Sequence, residues 1–131
     1  MPRFGRRSRK NLQDLHPDLL KVANEAIKHY DFTVIEGWRG EEEQNKAFRQ
    51  GFSKAKFGQS PHIYGLAFDA IPYPFKEEDW KDEVKFKAMA DAILKAADIV
   101  GIAVTWGGNF KSIHDTPHFE LTDWRNLKYW K

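Results

Sequence analysis

The sequence predicts an α+β fold, a single small domain in which a short, mainly antiparallel sheet packs against helices. Three observations carry this. At 131 residues the chain is long enough for one hydrophobic core and too short for two ordinary ones. Helical periodicity falls in its first and third quarters, with short β-rich runs between and after. Aromatic residues make up 15% of the chain, with five Trp and ten Phe, enough bulk for a compact core although 31% of residues are charged.

From Pro17 to Tyr30, apolar residues at Leu19, Leu20, Val22, Ala23, Ala26 and Ile27 follow helical spacing, and Pro17 suits a first helical turn. Residues 31–38, DFTVIEGW, are short and β-rich, a strand whose end at Gly37 presents Trp38 and Arg39. Glu41 to Gln50 reads as a helix, acidic in its first turn, with Arg49 in its last and Gly51 as the stop. Phe52 to Pro61 is polar loop, and Gly65 to Pro72 a strand. Asp82 to Val100 carries Val84, Phe86, Met89, Ala90, Ile93, Leu94 and Ala97 before Gly101, which predicts the longest helix, packed on the sheet. Ile102 to Trp106 and His118 to Leu121 read as strands, Gly107-Gly108-Asn109 as a turn, and the aromatic, basic tail from Thr122 to Lys131 as a last helical turn. No repeat, low-complexity tract or linker interrupts residues 1–131.

The balance of 21 basic and 19 acidic residues leaves a net charge of +2, far from that of a dedicated nucleic-acid binder. Without cysteine there is no disulfide framework and no thiolate metal site, so any metal must be held by histidine and carboxylate. The basic start MPRFGRRSRK is not followed by the apolar segment of a signal peptide, and no apolar run is long enough to span a bilayer.

Two stretches carry chemistry: SPHIYGLAFD at 60–69 and HDTPHFE at 114–120. Catalytic zinc without thiolates takes three ligands from imidazole and carboxylate and leaves a fourth position for water. His62 at the entrance to a strand, Asp69 within it and His118 on a neighbouring strand are candidates for that set. Asp115, across Thr116-Pro117 from His118, is placed to act as the acid/base, and Arg39 is the candidate to stabilise a developing oxyanion. Each has a plainer reading. A lone strand histidine is more often a satisfied polar residue, a buried aspartate is more often salt-bridged, and an arginine after a strand is usually solvated.

What distinguishes these residues is their joint pattern. S60-x-H62-x-x-G65-x-A67-x-D69 followed by D115-x-x-H118-F-E resembles the M15 metallopeptidase family. The opening F4-G-x-x-S8 and H16-P-D-L19, the G37-W-R39 turn and W106-G-G-N-F-K-S112 resemble its L-alanyl-D-glutamate endopeptidase branch, so that the likeness covers nearly the whole chain. The resemblance implies a small α+β fold and Zn2+ held by His62, Asp69 and His118. It further implies Asp115 as catalytic acid/base, Arg39 as a catalytic and substrate-binding arginine, and Ser60 in a substrate-binding position. It implies one peptidase domain over residues 1–131 with no separate wall-binding domain, a monomer, acting on the peptide stem of peptidoglycan as a phage endolysin. Such an enzyme is made in the host cytoplasm and released across the inner membrane by a holin-like partner. Asn109-Phe110 departs from the Asp-Trp pair common in this branch, and His114 stands outside its pattern, expected in solvent. Glu120, at same-face spacing from His118, suits either a hydrogen bond to one of the metal ligands or a solvated strand position. Gly65 and Ala67 are expected to let their strand pack closely beneath the metal.

Other readings are a D-Ala-D-Ala dipeptidase or carboxypeptidase of the same fold, a phosphohydrolase built on the His114-Asp115 pair, and a non-enzymatic module. The last would bind nucleic acid or an anionic envelope through residues 3–10 and 124–131.

Overall fold

In a computed structural model, which describes residues 2–40, 49, 60–110 and 114–130, the chain runs α1 (Arg6–Leu12), α2 (Pro17–Ala26), β1 (Phe32–Glu36), β2 (Ala67–Pro72), α3 (Glu83–Val100), β3 (Val104–Trp106) and β4 (His118–Leu121). The sheet has the order β1-β2-β4-β3 and its described pairings are all antiparallel. The α+β architecture is the one the sequence predicts. Of the helix expected over 41–50, only Arg49 lies among the described residues; of the loop expected over 52–61, residues 52–59 lie outside them.

α3 follows its sequence signals closely. The Asp82 carboxylate accepts from the Lys85 N–H at 3.0 Å to open the helix, and Gly101 closes it. Phe86, Met89, Ala90, Ile93, Ala96 and Ala97 form its buried face, but Val84, expected on that face, is 80% exposed because it sits in the first turn, beyond the edge of the core. α2 opens at Pro17 with the His16 ring accepting from the Asp18 N–H at 3.0 Å. It ends at Ala26, short of the expected Tyr30. The Lys28 and His29 N–H groups bond back three residues, to Glu25 and Ala26, and that tighter winding turns the chain into β1.

α1 was not foreseen. Ser8 and Leu12 are its buried residues, too few for a periodic signal. Its function in the fold is to cover an edge: the Ser8 Oγ accepts from the Val34 N–H at 2.9 Å, and the Asn11 side-chain amide donates to the Val34 carbonyl at 2.9 Å. The outer strand β1 therefore has backbone groups satisfied by side chains rather than left open.

The sheet's two faces divide the labour. Across the β2–β4 pairing Phe68 lies opposite Phe119, and the two rings stack at 5.6 Å in the core with Leu19, Phe86, Met89 and Ile93. Side chains alternate along a strand, so the next pair, Asp69 opposite His118, projects from the other face. A run that looks apolar in sequence thus delivers a carboxylate and an imidazole, side by side, to one place.

Candidate metal centre

His62 reaches that place from a different kind of element. It was expected at the mouth of β2 but lies in a 3-10 turn, Pro61–Tyr64, because Pro61 fixes the first position, the Ser60 Oγ caps the His62 N–H at 3.3 Å, and Gly65 ends the turn at φ 70°. Gly65 is therefore needed for its left-handed backbone and for its contact with the Asp14–Leu15 backbone, where a Cβ would collide with the Asp14 carbonyl. That is a different reason from close packing beneath the metal. Ala67 does lie on the Asp69 face, opposite Glu120.

The segment Gly37–Arg39 runs along this turn. The Gly37 carbonyl accepts from the His62 ring at 2.9 Å, the Arg39 N–H donates to the His62 carbonyl at 3.0 Å, and the Trp38 indole donates to the Ile63 carbonyl at 3.1 Å. With Nδ1–H engaged by Gly37, the His62 Nε2 is left with its lone pair. It lies 3.2 Å from the His118 Nδ1 and 3.2 Å from the Asp69 Oδ1, and those two atoms are themselves 3.2 Å apart. Three donor atoms thus form an equilateral triangle. A tetrahedron with metal–ligand bonds of roughly 2.0–2.1 Å has edges of about 3.3–3.4 Å, so the triangle fits one face of a tetrahedral site and leaves the fourth corner open. Two imidazole nitrogens and one carboxylate oxygen suit zinc chemically.

Electrostatics agree with the geometry. Burial works against the Asp69 charge, but the His62 and His118 imidazoles outweigh it and hold this carboxyl well below the usual range. Burial likewise disfavours a charged His118, yet hydrogen bonds to Asp69 and Glu120 raise it to about 10. The Glu120 contact is 2.7 Å, from Oε1 to the His118 Nε2, and settles the open reading of Glu120 in favour of a bond to His118. Phe110 tilts over His118 at a ring separation of 5.7 Å, on the wall where the sequence departs from the family pair.

Asp115 is half-buried at the same place. Burial first, then the nearby Asp69 charge, pushes its carboxyl above the usual range, against the opposing pull of His118, His62 and Arg39. Its loop is held closely: the Asp115 N–H donates to the Gly107 carbonyl at 3.0 Å, the Trp106 indole donates to the Thr116 carbonyl at 2.7 Å, and a Cβ on Gly107 would collide with the Asp115 carbonyl. Arg39 is buried, and its Nε donates to the Glu36 carboxylate at 2.7 Å. Ser60 is buried at the base of the His62 turn. His114 is exposed and meets the Glu83 carboxylate of α3 at 2.8 Å, and among the described residues the cluster able to hold a metal is His62, Asp69 and His118, without it.

Sequence reading missed the Gly37 carbonyl, Glu36 and the Trp106 tether. The signals were weak, since each acts through a folded contact, from three to 25 positions apart, that the residue letters do not announce.

A family model described as phage L-alanyl-D-glutamate peptidase matches residues 1–122. The chain belongs to this family. Among L-alanyl-D-glutamate peptidases, the enzyme of Escherichia phage T5 is 35% identical over 117 residues, covering 86% of this chain and 85% of its own. The peptidoglycan L-alanyl-D-glutamate endopeptidase CwlK of Bacillus subtilis is 33% identical over 129 residues, covering 82% of this chain and 74% of its own. The solved L-Ala D-Glu endopeptidase ChiX of Serratia marcescens superimposes with a TM-score of 0.78 at 35% identity, over 95% of this chain and 92% of that one. The LD-carboxypeptidase LdcB, at 18% identity and a TM-score of 0.56 over 87% of this chain and 63% of that one, shares the fold.

Proposed function

We propose that this peptidase cuts the L-Ala–D-Glu bond of the peptidoglycan stem with a zinc ion held by His62, Asp69 and His118. The observation that carries the metal reading is the equilateral triangle of ligand-capable atoms at 3.2 Å. Family membership supports the peptidase activity, and the names of the relatives support the bond.

A zinc ion there would supply positive charge that acidifies water and polarises a carbonyl. The chain's own residues do the rest. Asp115, its carboxyl raised by burial, takes a proton from the attacking water and returns it to the departing D-Glu amine as the C–N bond breaks. The products are an L-Ala carboxylate and a new D-Glu amino terminus. Arg39, steadied by Glu36, faces the charge that grows on the carbonyl oxygen. Ser60 supports the turn that carries His62, and its placement beside that ligand is the basis for a contact with substrate.

Among the described residues no helix is long and apolar enough to cross a membrane. We further propose that it acts as a monomeric endolysin that gains access to the wall after a holin-like partner opens the inner membrane; the phage source of one relative supports the endolysin part of this reading.

The test is digestion of purified peptidoglycan by the wild type and Asp115→Ala, with mass spectrometry of the products and metal analysis of both proteins. The wild type should expose D-Glu amino termini and carry one zinc. The variant should keep its zinc and lose activity by about 10²–10⁴-fold. Release of terminal D-Ala would instead identify a carboxypeptidase. Full activity in Asp115→Ala, or the absence of stoichiometric zinc, would overturn the mechanism.

A further inference from the structure

We propose that Glu120 is a positioning residue of the metal centre, one that fixes the His118 tautomer and adds a second negative charge to the site. The inference rests on the metal reading above. An ionised carboxylate only accepts hydrogen bonds, so the 2.7 Å contact obliges the His118 Nε2 to keep its hydrogen and makes Nδ1 the nitrogen that supplies the lone pair to a metal. Nδ1 is the atom at the corner of the triangle with His62 and Asp69. The opposite tautomer would put a hydrogen there.

The contact is built into the strand. His118 and Glu120 stand two apart on β4 and so share a face, and Glu120 lies opposite Ala67 on β2 and Thr105 on β3, neither of which is cationic. Glu120 is 13% exposed, and among the described residues no lysine or arginine pairs with it. A mostly buried carboxylate whose partner is a ligand imidazole serves that imidazole.

His62 offers an internal comparison. Its distal nitrogen is held by the neutral Gly37 carbonyl, which selects a tautomer without adding charge. The two histidines are thus oriented by unlike partners. With Asp69, Glu120 brings two negative charges to the site, matching a dication, and makes the His118 ring a more basic donor.

The experiment compares the wild type, Glu120→Gln and Glu120→Ala, each stripped by chelator and titrated with zinc against a chromophoric competitor, with folding followed by circular dichroism and thermal melting. Glu120→Ala should bind zinc roughly 10–100-fold more weakly. Glu120→Gln, which still accepts from Nε2–H but carries no charge, should recover part of that loss and remain at least about threefold below the wild type. The cobalt-substituted proteins should differ in their visible spectra in the same order. Wild-type zinc affinity in folded Glu120→Ala overturns the proposal. If that variant does not fold, Glu120→Gln decides, and affinity equal to the wild type overturns it. Failure of the wild type itself to bind zinc is a separate result that removes the metal reading instead.

Discussion

His118 faces two ways, with Nε2 on Glu120 and Nδ1 toward Asp69 and His62. Its hydrogen bonds to the carboxylates outweigh its burial and raise it to about 10, so near neutral pH the ring holds both protons until a cation displaces one. Zinc uptake at pH 7 should therefore release about one proton per ion from this residue, and affinity should strengthen with rising pH. Calorimetric titration in two buffers of different ionisation enthalpy measures the number. The sign for stability is the reverse. A raised folded value stabilises the chelator-treated protein fully below the ordinary 6.5, and this contribution is lost as pH climbs toward 10, so the melting temperature in chelator should fall over that interval. At this scale the sequence was informative about the side chains that paired strands bring together, Asp69 and His118. It was silent on the Gly37 carbonyl, because a backbone acceptor has no letter of its own.

At the scale of elements, α3 and α1 mark the two extremes of legibility. α3 showed itself through periodic apolar residues bounded by Asp82 and Gly101. α1 is a seven-residue helix held mainly by what Ser8 and Asn11 give to β1, information that exists only once the strand is beside it. Burial separates the helix positions that sequence treated alike. Ile93→Ala should cost about 2–5 kcal/mol, whereas Val84→Ser should change stability by less than about 0.5 kcal/mol, both measured by urea denaturation. The approach to α3 carries a charge device as well. Asp79 accepts from the Lys85 ammonium at 2.8 Å and from the Lys76 N–H at 2.8 Å, the Lys85 bond being the larger cause of its lowered carboxyl. A lowered carboxyl stabilises above its ordinary value of 3.8 and loses that contribution as pH falls through the lower folded value. Asp79→Asn should accordingly melt below the wild type at pH 7, and the gap should close in acid below about pH 3.8, the ordinary value of the group.

Across the whole molecule, a four-stranded sheet turns one face to a helical core and offers the other to chemistry. The antiparallel class was legible from short strands parted by turns. The order β1-β2-β4-β3 was not, since pairing depends on which hydrophobic faces meet after collapse. The triangle of donors exists only when the 3-10 turn, β2 and β4 are all in place, and His62 and His118 stand 56 positions apart. An ion that binds the native chain alone stabilises it by about 4 kcal/mol at a thousandfold excess over Kd. Scanning calorimetry should thus show the melting temperature rising by about 10 °C or more from chelator to zinc. Unlike a disulfide, an ion so bound leaves the unfolded chain unconstrained and acts by tying segments 56 positions apart in the folded one. In a sequence without cysteine, the zinc proposed above would be a cross-link of the folded state that a chelator opens and a zinc salt reseals, and resistance to proteolysis should follow the free zinc concentration.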